Sequence, residues 1–223
     1  MKKNLLACLL LVMGSVLSPL SAQYQKEISV GAKFGTNLSR ATFRPSVKQN
    51  LLLGYMGGIS FRYSEEKYFG FIIEANFSQQ GWDENFEDPS LKYNRRMNYL
   101  EVPFMTHIFF GNKVIRGFVN LGPQVGFLIS DKKNTNLDLN NLPKLPSDSH
   151  PTEQLNMPIA KKFDYGICGG AGIELRAKKH SFMLEGRYCF GLGDFFNNRK
   201  KDYFATSSNQ NITIALTYMF RLK

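Results

Sequence analysis

The chain has 223 residues, 43% of them apolar, with 28 Lys and Arg against 18 Asp and Glu and only 3 Cys. That apolar share excludes a disordered chain, and so few cysteines exclude a disulfide scaffold. No apolar run of about 18 residues or more follows the N-terminus, which excludes a bundle of membrane helices. A net charge of +10 keeps a nucleic-acid partner in play until the residue pattern is read.

Residues 1–22 have the layout of a secretory leader. Met1-Lys2-Lys3 is the positive start, Leu5 to Leu17 the apolar stretch, and Ser18-Pro19-Leu20-Ser21-Ala22 a helix-breaking, small-residue end. Cleavage is expected after Ala22, leaving residues 23–223 as a single domain with nothing appended after it. Cys8 has only seven residues before it and apolar sequence after it, so it reads as part of the leader rather than as a lipid-modified terminus. Loss of Lys2 and Lys3 takes the net charge from +10 to +8. An exported chain rarely meets cellular DNA, and neither zinc-finger spacing nor a glycine-rich phosphate loop is present, so no nucleic-acid partner is expected.

From residue 28 onward the dominant signal is period two, the mark of strands with one apolar face. The first segment sets Ile28, Val30, Ala32, Phe34 and Leu38 against Ser29, Gly31, Lys33, Gly35 and Asn37. Seven more follow, at Leu53–Tyr63, Phe69–Ser78, Leu100–Phe110, Val119–Phe127, Tyr165–Leu175, Phe182–Phe190 and Ile212–Phe220. Ser64–Lys67, Gly111–Val114 and Ala177–His180 are four-residue turns; Ser39–Asn50, Trp82–Arg96, Ile129–Lys162 and Gly191–Ser208 are long connections. Short turns at one end, long loops at the other and an even strand count predict an all-β fold, an eight-stranded antiparallel transmembrane β-barrel of up-and-down topology. The longest loop, 129–162, has no period and is expected to be mobile.

Parity alone does not say whether the apolar face meets lipid or fills a soluble barrel. The other face decides. It carries ten glycines (Gly31, Gly35, Gly54, Gly58, Gly70, Gly122, Gly126, Gly166, Gly170 and Gly172) where a solvated face would carry Lys, Glu and Thr. Glycine weakens a strand unless something must come close, as in a narrow lumen. The large polar residues on that parity are Lys33, Arg62, Glu74, Glu101, His107, Glu174, Glu185 and Arg187, a nearly neutral set that must pair when buried. Tyr55, Tyr63, Tyr68, Tyr99, Tyr165, Tyr188 and Tyr218 lie on or near the apolar face, where an interfacial girdle is expected.

Several short motifs carry a family resemblance. They are Gly31-Ala32-Lys33-Phe34-Gly35-Thr36-Asn37-Leu38-Ser39, Tyr99-Leu100-Glu101-Val102-Pro103-Phe104, Asn120-Leu121-Gly122-Pro123, Phe163-Asp164-Tyr165-Gly166 with Gly169-Gly170-Ala171-Gly172-Ile173-Glu174, and Glu185-Gly186-Arg187-Tyr188 with Gly191-Leu192. With these the chain resembles the PorT family of small porin-like outer-membrane barrels. The resemblance implies the outer membrane of a Gram-negative-type bacterium, both termini in the periplasm and, for the founding member, a part in protein export through type IX secretion. Barrels of this kind end in an aromatic residue; here Phe220 is followed by Arg221-Leu222-Lys223.

Little in the sequence points to catalysis. Glu101 and His107 share a parity, with Phe118 expected opposite His107, but a lone lumen histidine reads as a hydrogen-bonding residue. His150 lies in the longest loop and His180 in a tight turn. Lipid-modifying barrel enzymes need a His beside a Ser near the outer rim, and no late-strand His stands near one, so an enzyme is the rival reading and not the expected one. No cofactor or metal-ligand set is expected.

Cys168 and Cys189 share the lumen parity. A turn at 177–180 pairs Leu175 with Phe182 and hence sets the two thiols opposite each other. They either form a cross-strand disulfide or pack as reduced thiols; reduced packing is expected, because directly opposed strand cysteines need strained geometry. Arg40, Arg44 and Lys48 in the first loop and Arg199-Lys200-Lys201 in the last are expected to form a basic rim facing outer-membrane lipid and lipopolysaccharide. Envelope or secretion proteins are the other candidate partners.

Overall fold

The computed structural model describes residues 26–139 and 151–222. The leader and its cleavage point after Ala22 lie outside the described residues. The chain forms β1 (Glu27–Arg44), β2 (Gln49–Asn50), β3 (Leu52–Ser64), β4 (Phe69–Glu84), β5 (Tyr93–Gly111), β6 (Ile115–Thr135), β7 (Phe163–Ala177), β8 (His180–Gly191) and β9 (Thr206–Arg221), with one short helix, α1 (Glu153–Asn156). Eight of the strands close an antiparallel ring in which β1 meets β9 from Ser29 opposite Arg221 to Arg44 opposite Thr206. The two-residue β2 stands outside the ring order and pairs with the end of β4.

Alternation along each strand sorts side chains into two environments. On β1, Phe34 is 68% exposed and its neighbour Lys33 is 1% exposed. Outward residues such as Ile59, Leu121, Ile173 and Leu184 are exposed, while inward serines, asparagines and charged residues are buried. This is the inversion that lipid demands of a barrel wall. Inside, the glycines make room: a Cβ on Gly172 would lie 2.5 Å from the Phe118 ring. The tight turn after β5 needs Gly111 at φ +135°, a backbone region closed to other residues.

The strands run further than the alternation suggests, and most of the added length lies at the loop end. β1 continues to Arg44, β4 to Glu84 and β6 to Thr135, while β5 starts at Tyr93 and β9 at Thr206. The reason is a reversal of the pattern. Here the outward residues are polar (Thr42, Arg44, Asp83, Asn94, Arg96, Asn98), and the inward ones are Ala41, Phe43, Trp82, Tyr93 and Met97, all buried. Above the bilayer the wall meets water on the outside and an apolar core on the inside, so the apolar parity changes sign. A bulge at the Asn98/Tyr99 step, where Ser130 and Leu128 are the partners, shifts β6 by one residue as well.

Four expectations are corrected by this extension. Tyr99 faces inward and is 1% exposed, so it does not belong to the outward tyrosines. Arg40 and Arg44 lie on β1 and not in a loop; Arg40 Nε donates to Gln210 Oε1 at 2.9 Å on the outer wall. Lys48 stays in the connection between β1 and β2, as expected, and pairs with Glu87 at 3.1 Å. The 129–162 connection begins as strand and ends in packed structure, with Leu155 of α1 fully buried and its carbonyl accepting from the Tyr93 hydroxyl at 3.0 Å.

Candidate functional site: the lumen and its cap

The barrel interior is filled in tiers. Nearest the tight turns, Arg62 donates to Glu174 Oε1 at 2.7 Å and to Glu27 Oε1 at 3.0 Å. Arg176 reaches Glu27 Oε2 at 2.6 Å, and Arg221 lies 3.4 Å from the same oxygen. Beside this cluster His107 is fully buried, its Nδ1 2.7 Å from Asn120 Oδ1. Asn120 stands opposite His107 across the ladder; Phe118, expected there, is opposite Phe109 and meets the imidazole diagonally at 5.3 Å between ring centroids.

The middle tier is a closed quartet of two cations and two carboxylates. Lys33 Nζ donates to Glu74 Oε1 at 2.9 Å and to Glu185 Oε2 at 2.7 Å. Arg187 grips Glu74 with both terminal nitrogens at 2.9 Å and Glu185 through Nε at 3.1 Å and Nη2 at 2.8 Å. Asn76 and Asn120 supply one further donor each, at 2.8 Å. All four charged side chains are at most 5% exposed. Buried charges survive in a low-dielectric interior only when paired and hydrogen-bonded in this way.

Above the quartet Cys168 and Cys189 are opposite partners in the β7–β8 ladder, and their sulfurs are bonded. The structure therefore has the disulfide and not the reduced packing expected from the strain argument, because the ladder pairs the two residues directly. Glu101 stands apart from the quartet, with Ser78 and Gln124 as hydrogen-bond partners. It makes no pair with His107, although the two share a strand face.

The loop end is closed by an apolar core. Phe43, Trp82, Tyr93, Met97, Tyr99 and Leu128 project inward from the strands. Phe195, Phe196 and Phe204 come down from the 192–205 loop, and Leu155 from α1. Trp82 stacks on Phe195 at 5.5 Å, and Phe43 meets Trp82 edge-on at 5.2 Å. Arg95 lies 5.6 Å over both Trp82 and Phe196, while its Nε donates to Asp131 at 2.8 Å and its Nη1 to Met157 O at 2.7 Å. The loop is held by Ser207, whose hydroxyl accepts from Phe196 N at 2.9 Å and whose N–H donates to Asp194.

All eight polar residues singled out in the sequence, Lys33, Arg62, Glu74, Glu101, His107, Glu174, Glu185 and Arg187, face the lumen and are buried. The structure joins four of them in the quartet and two in the lower cluster. Sequence reading missed Glu27, Arg176 and Asp164, which lie just beyond the segment ends on the same parity, and missed the cap. Among the described residues no group of three or more His, Cys, Asp and Glu side chains is arranged to hold a metal ion.

No curated protein matches the chain. Among solved structures it is similar to Ail, the attachment invasion locus protein of Yersinia pestis, at 13% identity and a TM-score of 0.41, over 87% of this chain and 99% of that one. It is similar to OprG of Pseudomonas aeruginosa at 9% and 0.47, over 88% and 95%. The outer membrane enzyme PagL is similar at 12% and 0.43, over 86% and 98%. The profile of the outer membrane protein beta-barrel domain matches residues 21–197. With most of the chain inside that match, and a closed eight-stranded ring with apolar residues outward, the protein belongs to the outer membrane protein beta-barrel domain family.

Proposed function

We propose that this protein is a closed outer-membrane barrel with a structural or interaction role, exported by its leader and conducting no solute through its centre. The observation that carries the reading is the double closure of the lumen. Lys33, Glu74, Glu185 and Arg187 span it from β1, β4 and β8, and the Trp82–Phe195–Phe196 cap fills its outer mouth. What remains for recognition is the loop end and the lipid-facing wall.

A non-enzymatic role is part of the same reading. Of the two described histidines, His107 bonds Asn120 and His180 Nδ1 lies 2.7 Å from the Tyr218 hydroxyl. Neither meets a serine hydroxyl, as a lipid-modifying nucleophile would require. Lipopolysaccharide and envelope or secretion proteins are the partners proposed for the loop end. The PorT-type role in protein export rests on the sequence motifs, and a deletion strain that retains secreted cargo in the periplasm would support it.

Planar-bilayer recording on the purified barrel tests the main reading. Conductance near zero is expected. Discrete, long-lived open channels in the native protein would overturn it.

A further inference from the structure

Every carboxylate of the lower two tiers has a cation beside it: Glu27, Glu74, Glu174 and Glu185 are all ion-paired. The two lumen carboxylates between the quartet and the cap differ. Glu101 on β5 and Asp164 on β7 flank Gly126 of β6, which is the ladder partner of both. A Cβ on Gly126 would lie 3.7 Å from Glu101 Cγ and 3.8 Å from Asp164 Cβ. Among the described residues, neither has an ion-pair partner.

These carboxylates open onto a small cavity of about 20 Å³, lined on its polar side by Gln80, Gln124, Asn209 and Asn211 and on its other side by Ile167, Phe190 and the Cys168–Cys189 pair. That is room for one water-sized body. Its oxygens are under-used. Asp164 Oδ2 accepts from Asn209 Nδ2 at 2.7 Å, but Asp164 Oδ1 has no partner. Asn209 and Asn211 are 4% and 5% exposed, and the Oδ1 of each is likewise buried and unpartnered. Buried oxygens left without donors cost stability unless a ligand supplies the missing positive charge.

We propose that this cavity is a calcium site. Two carboxylates carry a formal charge of −2 that a single divalent cation neutralises. Beside the two carboxylates, Gln80, Gln124, Asn209 and Asn211 bring amide oxygens to the lining, the ligand type of a hard cation. Calcium accepts irregular sets of roughly six to eight oxygens, whereas magnesium demands octahedral order and keeps several waters, for which the cavity has no room. Gly126 keeps the space between the two acids empty, and the ion bridges β5, β7 and β9 across the upper lumen.

Calcium titration calorimetry on the EDTA-washed, detergent-folded chain, with the midpoint of heat-modifiable gel mobility as a second readout, tests this. One calcium per barrel and a saturable rise in the midpoint are expected, with no rise in magnesium. Glu101→Gln with Asp164→Asn removes both charges at constant shape and should weaken binding by about 100-fold or more. Gly126→Ala adds a methyl at ordinary contact distances, so it folds and weakens calcium while leaving the EDTA midpoint in place. No stoichiometric calcium on the native chain overturns the site. So does undiminished binding in the double variant, which would put the ion on the loops. A midpoint blind to calcium that falls as pH rises would mean that the two acids share a proton, and also overturns it.

Discussion

Lys33 and Glu185 are 152 residues apart in sequence and meet at 2.7 Å in the centre of the lumen, with Glu74 and Arg187 completing the ring of charge. The fold brings them together because β1 and β8 lie on either side of β9, so no local pattern encodes the pair. Lys33→Met leaves two buried carboxylates sharing one guanidinium, and should destabilise the barrel by about 3–5 kcal/mol. Lys33→Met with Glu74→Gln restores neutrality and should cost clearly less than the sum of the single changes. Urea unfolding in lipid vesicles, read by gel mobility, measures both.

The cap and the quartet close the lumen in series. Trp82→Ala with Phe196→Ala removes two fully buried rings, at about 3–5 kcal/mol each, yet conductance should stay near zero while the quartet is intact. Adding Lys33→Ala and Arg187→Ala to the opened cap should give measurable ion current in planar bilayers. Current from the cap variant alone would show that the charged tier does not seal.

The membrane-spanning half of the barrel was legible in the sequence because lipid imposes a strict parity there. Phe34 out and Lys33 in repeat on all eight walls, and counting back from the 177–180 turn set Cys168 opposite Cys189. The outer half was not legible. Where water replaces lipid the apolar parity reverses, so Phe43, Trp82 and Tyr93 read as parts of the loops in which alternation ends. The lumen residues could be assigned to a face but not to partners. Pairing between β1 and β8, or between β3 and β7, depends on how the closed ring brings distant strands together. Asp164 sits one residue before the segment end at Tyr165, close enough to the turn toward the loop to pass as part of it.

The disulfide is a ladder pair and closes a loop of 21 residues. If the leader is removed after Ala22, Cys8 goes with it, and Cys168 and Cys189 are the only thiols left. Labelling of the unfolded, unreduced mature chain with a maleimide should then find no free thiol, and two after reduction. Cys168→Ala with Cys189→Ala should lower stability by about 3 kcal/mol, since a loop of this size loses that much closure entropy when crosslinked. A chain purified from the membrane with both thiols free would show that the bond does not form there.

The reversal of parity along a single strand gives the most direct test of where the membrane ends. Phe34 points outward near the middle of the wall, and Thr42 points outward on the same strand two turns of the alternation beyond Leu38. Phe34→Arg places a charge in hydrocarbon and should cost about 2–4 kcal/mol, while Thr42→Arg, facing water, should cost almost nothing. The inward face should respond in the opposite sense. Phe43 is 6% exposed and lies in ring contact with Trp82, Phe195, Phe196 and Phe204, so Phe43→Arg buries an unpaired charge in the cap and should be severely destabilising. Folding yields of the three variants into vesicles, compared with the native chain, rank them. If Thr42→Arg proves as costly as Phe34→Arg, the outer extension of β1 lies in lipid and the cap is a membrane-embedded plug.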